Sequence, residues 1–192
     1  MSVAFRNGIG AVTSFVVETA ISEEARQRAS IAFIDTCGVM LAGAGEPAAR
    51  IAQSLAAEEG VGDCRVVGTS ITTSPALAAF ANGVAAHALD YDDMCFVSLA
   101  HPSCVLVPAL LAAGEITGAN ARTLLDAYVV GFEIECRLGL VMNPRHYHQR
   151  GWHCTSSIGT LGAAAAAARV LGLDAPATRH ALGIAASSAC GL

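Results

Sequence analysis

The segment His87–Ser103, HALDYDDMCFVSLAHPS, gathers His87, Asp90, Asp92, Asp93 and His101 into about four helical turns of chain. Carboxylates this close raise one another's pKa, and a carboxylate so shifted serves as an acid or base near neutral pH. Three carboxylates and two imidazoles in one short run therefore point to proton transfer. A second histidine segment, Arg150-Gly151-Trp152-His153-Cys154-Thr155, follows about fifty residues later. The two segments read as two walls of one active site.

Within the first segment, His87 and Asp90 are three apart and share a face if the helix persists, as do Asp90 and Asp93; Asp92 points elsewhere. The bland alternative is a capped helix end and a solvated turn, but acids at a helix C-terminus oppose its macrodipole. Asp90 and His101 are the leading catalytic candidates. Asp93 is assigned to the substrate, although His87, Asp92 and Asp93 suit loop ordering as well. His153 precedes Thr155-Ser156-Ser157 at a helix start, where unpaired backbone N–H groups favour an anion such as a substrate carboxylate. His153 is thus the third catalytic candidate, with Thr155 and Ser156 as substrate ligands. Its alternative role is a ring stacked on Trp152. Arg150 or Arg145 could clamp an acid. His146 and His148 read as surface or lid residues, and His180 as structural. The acids and imidazoles could ligate a metal by type, but HExxH, CxxC and paired ExxH patterns are missing, so neither metal nor cofactor is expected.

These side chains must be held by helices. Ser22 caps a helix whose first turn carries Glu23 and Glu24, with Ala25, Ala29, Ala32, Phe33, Cys37, Met40 and Leu41 at a 3.6 period. Gly43-Ala44-Gly45 ends it, and Pro47–Glu58 is the next helix. Gly60–Thr73 is a loop or small strand, β-like at Arg65-Val66-Val67. Ser74-Pro75 opens a helix to about Asp90. Pro102 to about Ile116 and Asn120 to about Leu140 follow. Asn143–Gly151 is a polar loop. Thr155–Leu171 is a helix of small residues, where Gly159 and Gly162 suggest close helix approach. Asp174 and Pro176 start the last, Ala177–Ala189. The fold class is all-α, one domain over residues 1–192.

Composition fits. Of 192 residues, 39 are alanine, 54% are hydrophobic and 14% are charged. So little charge suggests surface buried against a partner subunit or a further domain. The net charge is −5, with 11 arginines and no lysine, no basic patch and hence no expected nucleic-acid partner. The missing lysine also excludes a Schiff base within these residues. The opening residues MSVAFRNG predict no signal peptide, and no membrane span is expected. The seven scattered cysteines read as reduced, mostly buried thiols of a cytoplasmic protein.

Asp35-Thr36-Cys37-Gly38-Val39, HALDYDD…HPS, Gly131-Phe132-Glu133, GWHCT and ALGIAASSACGL together resemble the MmgE/PrpD family, which includes 2-methylcitrate dehydratase, cis-aconitate decarboxylase and iminodisuccinate epimerase. The resemblance implies a helical domain followed by a smaller α+β lid domain, a homodimer, no iron–sulfur cluster, and proton addition or removal next to a carboxylate of a small di- or tricarboxylate. It lays the family's pocket aspartate on Asp90, its HPS histidine on His101 and its GWH-type histidine on His153. Met94 stands where several members have a DDT threonine, removing a hydroxyl that could bond substrate. The family's lysines and lid are expected beyond Leu192, which makes this chain less than half of a typical member.

The resulting expectation is a hydro-lyase acting on a methylcitrate-like acid. His101 and His153 would share proton transfer, with Asp90 orienting an imidazole or acting as base. The alternatives are an epimerase, racemase or decarboxylase of the same family, and a non-catalytic truncated helical scaffold.

Overall fold

The computed structural model describes residues 8–191. The start of the chain, from which no signal peptide is expected, lies through residue 7 outside the described residues. Eight α-helices make up most of the rest: α1 (Ile9–Glu18), α2 (Glu23–Gly43), α3 (Pro47–Glu59), α4 (Pro75–His87), α5 (Ser103–Thr117), α6 (Ala121–Met142), α7 (Cys154–Val170) and α8 (Ala175–Ser188). The caps are those the sequence announces. Ser22, Ser74, Asn120 and Asp174 accept from the backbone N–H of Ala25, Leu77, Thr123 and Ala177, each satisfying an otherwise orphaned donor. Proline opens α3, α4 and α8, where its missing N–H costs nothing.

Helix α7 is central. It packs on α5 and α6, with α8 and α1 on its far side, while α4 joins α5 to α2 and α3. Its small residues permit this. A Cβ on Gly131 of α6 would come within 2.9 Å of the Gly162 carbonyl oxygen, and one on Gly162 would overlap the Glu135 carboxylate. The expected close approach at Gly159 and Gly162 is therefore real, and a larger side chain would force the pair apart. Met40, Leu106, Leu110 and Tyr128 fill one core between α2, α5 and α6. Val16, Val130, Ile134 and Leu182 fill a second between α1, α6, α7 and α8. Two guanidiniums tie distant segments. Arg26 of α2 meets Asp126 of α6 at 2.5 Å. Arg169 of α7 donates to the Val16 and Thr19 carbonyl oxygens at 2.8 Å, satisfying the open C-terminal end of α1.

Four details differ from the sequence reading. Helix α1 carries no helix signal in the sequence; its run of valines and threonine is a poor intrinsic helix former, and it is held by packing on α8. Residues 60–73 do form the small strand offered as one reading, but it pairs at β1 (Cys64–Arg65) with β2 (Thr72–Thr73) and is not centred on Arg65-Val66-Val67. The polar loop holds a π-helical turn, Arg145–Gln149. Leu41, expected in the core, is 59% exposed, whereas Val39 and Met40 beside it are buried. Among the described residues no single helix is long and apolar enough to cross a membrane; α2 and α3 pass such a test only as a pair bent by 91°.

Candidate active site

Helix α4 stops at His87, three residues short of the expected Asp90. The chain then folds back through an irregular turn that ends where α5 begins. Asp90 and Leu99 both have left-handed backbones, φ +54° and +53°. Such a conformation costs an L-residue roughly 1–2 kcal/mol, although aspartate tolerates it better than leucine. Inside the turn, Cys95 and Ala100 form an isolated bridge with N–H···O distances of 2.9 and 3.4 Å. Because the helix has ended, His87 and Asp90 do not share a helical face.

The turn carries Asp92 inward instead. Its side chain is fully buried, and its two oxygens lie 2.9 and 3.0 Å from His87 Nδ1. A carboxylate at that distance accepts the Nδ1 proton, which fixes the tautomer and leaves Nε2 as the free working nitrogen. Asp92 Oδ2 is also 3.5 Å from His101 Nδ1, a buried nitrogen with no hydrogen-bond partner. Asp90, at the rim with its side chain 78% exposed, stands 3.9 Å from His101 Nε2. The His87 and His101 rings lie 4.9 Å apart, and His87 and His153 6.3 Å apart. The three imidazoles thus form one cluster, with Asp92 at its base.

The second wall is the start of α7. His153 occupies the N-cap position. Thr155 Oγ1 accepts from the His101 backbone N–H at 2.9 Å, stitching the two walls together. Desolvation, followed by the neighbouring His87 and His101, pushes the His153 imidazole below its ordinary 6.5 and so favours its neutral form. Trp152 stacks on His146, with ring centroids 6.0 Å apart and planes 7° from parallel, rather than on His153. His146, read as a surface or lid residue, is half-buried and bonds Ser157 Oγ at 2.7 Å. His153 is therefore free to face a ligand.

An open cavity of about 990 Å³ runs between α4, α5 and α7. His87, His153, Thr155 and Ser156 line it, together with Phe80, Val84, Val105 and Ala109. A smaller cavity of about 520 Å³ between α1, α6 and α8 carries neither imidazole nor carboxylate.

Of the residues singled out in the sequence, His153, Thr155 and Ser156 line this cavity, while His101 and Asp90 stand in the adjoining imidazole cluster and do not line it. Asp93 and Arg150 do not line the cavity. Both Asp93 oxygens are engaged by Ser103, at 3.0 Å from its N–H and 2.6 Å from its hydroxyl, which anchors the start of α5. Ser103 continues to the Tyr128 hydroxyl at 2.6 Å. Arg150 is exposed near His146, whose pKa desolvation lowers first and Arg150 second. Asp92 carries more of the site than its place in the sequence suggests. Nothing in the sequence marks the helix end at His87, and on an unbroken helix Asp92 would point away.

His87, Asp90, Asp92 and His101 offer ligand atoms within 4.8 Å of one another, a mixed imidazole–carboxylate set that suits a divalent transition metal by type. The His87–Asp92 hydrogen bond accounts for the closest pair by itself. The arrangement can move protons: a neutral imidazole, two further imidazoles beside carboxylates, and a helix N-terminus at which an anion is favoured.

A helical domain that gathers imidazole and carboxylate groups beside such a cavity holds the groups that acid–base chemistry needs. The family model described as the MmgE/PrpD N-terminal domain matches residues 11–192, and the chain belongs to the MmgE/PrpD family. It is 34% identical over 180 residues to the cis-aconitate decarboxylase-like protein oryM of Aspergillus oryzae, covering 90% of this chain and 37% of that protein. It is 30% identical over 178 residues to the cis-aconitate decarboxylase of Aspergillus terreus, covering 90% and 36%. With the human cis-aconitate decarboxylase it shares 39% over 123 residues, covering 62% and 25%. The chain thus spans less than two-fifths of the length of these relatives.

Proposed function

We propose that the protein of which this chain is a part is a lyase acting on a small unsaturated or hydroxylated di- or tricarboxylate, and that its reaction is decarboxylation of a cis-aconitate-like acid. The cluster of His87, His101 and His153, of which His87 and His153 line one cavity, carries the reading. Loss of CO2 leaves an electron pair on carbon that must be met by a proton, so the reaction needs a positioned donor next to the substrate's carboxylates. His101, flanked by Asp90 and Asp92, is the donor in this reading. His153, in its neutral form, takes up a solvent proton and passes it to His101, which restores the donor. The N–H groups at the start of α7, with the Thr155 and Ser156 hydroxyls, would hold a carboxylate. The names of the relatives favour decarboxylation over the dehydration expected from the sequence. Dehydration of a methylcitrate-like hydroxy acid stays as the second reading, because it too requires a base and an acid on one pocket. Both readings include a metal-free reaction, a homodimer and a cytoplasmic location. Ile31, Ile34, Ile51 and Val141, each at least 70% exposed, supply apolar surface for the dimer or for the rest of the protein.

The test uses the full-length gene product, with and without chelator. Chelator-insensitive CO2 release from cis-aconitate, with no alkene from 2-methylcitrate, is the expected outcome. Alkene absorbance from 2-methylcitrate without CO2 release would establish the second reading, and neither activity would sink both. A positioned acid or base contributes typically 10²–10⁴-fold. His101→Ala and His153→Ala are each expected to lose activity of that order, and unchanged turnover in His153→Ala would overturn the assignment.

A further inference from the structure

Two thiols face each other where the turn meets α6. Cys95 Sγ and Cys136 Sγ lie 3.7 Å apart, on the turn and on α6 respectively. Both residues are only partly buried, so a small oxidant can reach them. The turn already rests on the helix: a Cβ on Gly139 would come within 2.7 Å of the Val97 carbonyl oxygen, and Asn143 Nδ2 donates to the Ser98 carbonyl oxygen at 2.9 Å. A disulfide requires about 2.05 Å between sulfurs, so bond formation draws the two sulfurs closer than the 3.7 Å at which they rest.

We propose that Cys95 and Cys136 are a modification site: a low-molecular-weight disulfide of the glutathione type oxidises them to an intrachain disulfide that fastens the turn carrying Asp92 and His101 onto α6. Cys95 is the attacking sulfur. Burial pushes its thiol up, but hydrogen bonds from the Ser98 side chain and from the Ser98 and Val97 backbone outweigh that and hold it below its ordinary 9.0. Its thiolate displaces one small thiolate and forms a mixed disulfide. Cys136 then gives up its proton and attacks Cys95 Sγ, releasing the second small thiolate. One S–S bond breaks and one forms; the two protons end on the two small thiols, and the small disulfide is the species reduced. Burial first, and the charge on Cys95 next, hold the Cys136 thiol high; capping Cys95 removes the second of these while burial remains, so the attack by Cys136 is the slower step. The Cys95–Ala100 bridge leads directly into His101, so a covalent anchor at Cys95 restrains the backbone of that imidazole.

The experiment incubates the full chain with oxidised glutathione, alkylates the remaining thiols and cleaves at arginine. The expected product links peptide 66–122 to peptide 123–137 with loss of two hydrogen atoms, and fragmentation assigns the sulfur to Cys95 rather than Cys104. Dithiothreitol reverses it, and Cys136→Ser abolishes it. Amide exchange at Ala100 and His101 is expected to slow about tenfold in the linked protein. Two results overturn the proposal: full alkylation of Cys95 and Cys136 while the exposed Cys190 takes up glutathione, or a 95–136 link that leaves exchange at Ala100 and His101 unchanged. Cys95→Ser is expected to lose the same link, and an unchanged helical circular-dichroism spectrum in both variants shows that they lack sulfur and not fold.

Discussion

Each titratable side chain in the cluster is defined by what stands next to it. His153 shows this most directly, because desolvation and two neighbouring imidazoles all disfavour its charged form. Its ring is expected to titrate below pH 6.5 in 15N-edited NMR, and to move upward in a His87→Asn His101→Asn variant. A titration at or above 6.5 in the unmodified chain would contradict the geometry. The types of residue in the site were legible in the sequence, since three carboxylates and two imidazoles fall within residues 87–101. Their division of labour was not. Asp93 looks like a ligand and is an anchor for α5; Asp92 looks like a bystander and holds His87. The difference lies in two left-handed residues, Asp90 and Leu99, neither of which is a glycine that would have signalled the turn.

Helix boundaries were largely readable because four side-chain caps and three opening prolines announce them. Helix α1 escaped for the opposite reason: its stability comes from α8 and from Arg169, partners far away in sequence. The pairing of α6 with α7 was half visible, in the glycines but not in the residue they admit. Gly162 leaves room for the Glu135 carboxylate, and Gly131 for the Gly162 carbonyl. Gly131→Ala is expected to destabilise the domain by about 1–3 kcal/mol, the usual cost of forcing extra volume into a packed interface. Urea unfolding of the purified chain measures it, and a midpoint equal to the parent's would show that the helices yield more easily than this packing implies.

Across the whole molecule the most unusual feature is Glu135, fully buried with neither oxygen hydrogen-bonded. Burial first, and the charges of Asp93 and Cys95 next, hold its carboxyl protonated well above the ordinary 4.5. The folded protein therefore keeps a proton that the unfolded chain releases. Below pH 4.5 the group does not oppose folding; as pH rises from there toward the folded-state value, stability falls by at most about 1.4 kcal/mol per pH unit, the limit for one proton. Glu135→Gln is expected to be the more stable protein at pH 8 and to lose that advantage below pH 4.5, as read by thermal unfolding across pH. An advantage that does not vary with pH would mean that Glu135 carries no proton in the fold. Arg169 reaches back 153 residues to the carbonyl of Val16, and this long reach sets an order of events during biosynthesis. Helix α1 leaves the ribosome well before α7, which carries the guanidinium that closes its end. At 5–20 residues per second, the apolar face of α1 waits roughly 8–30 s for its partner. The nascent chain thus carries an unprotected hydrophobic segment while the helices between α1 and α8 are made.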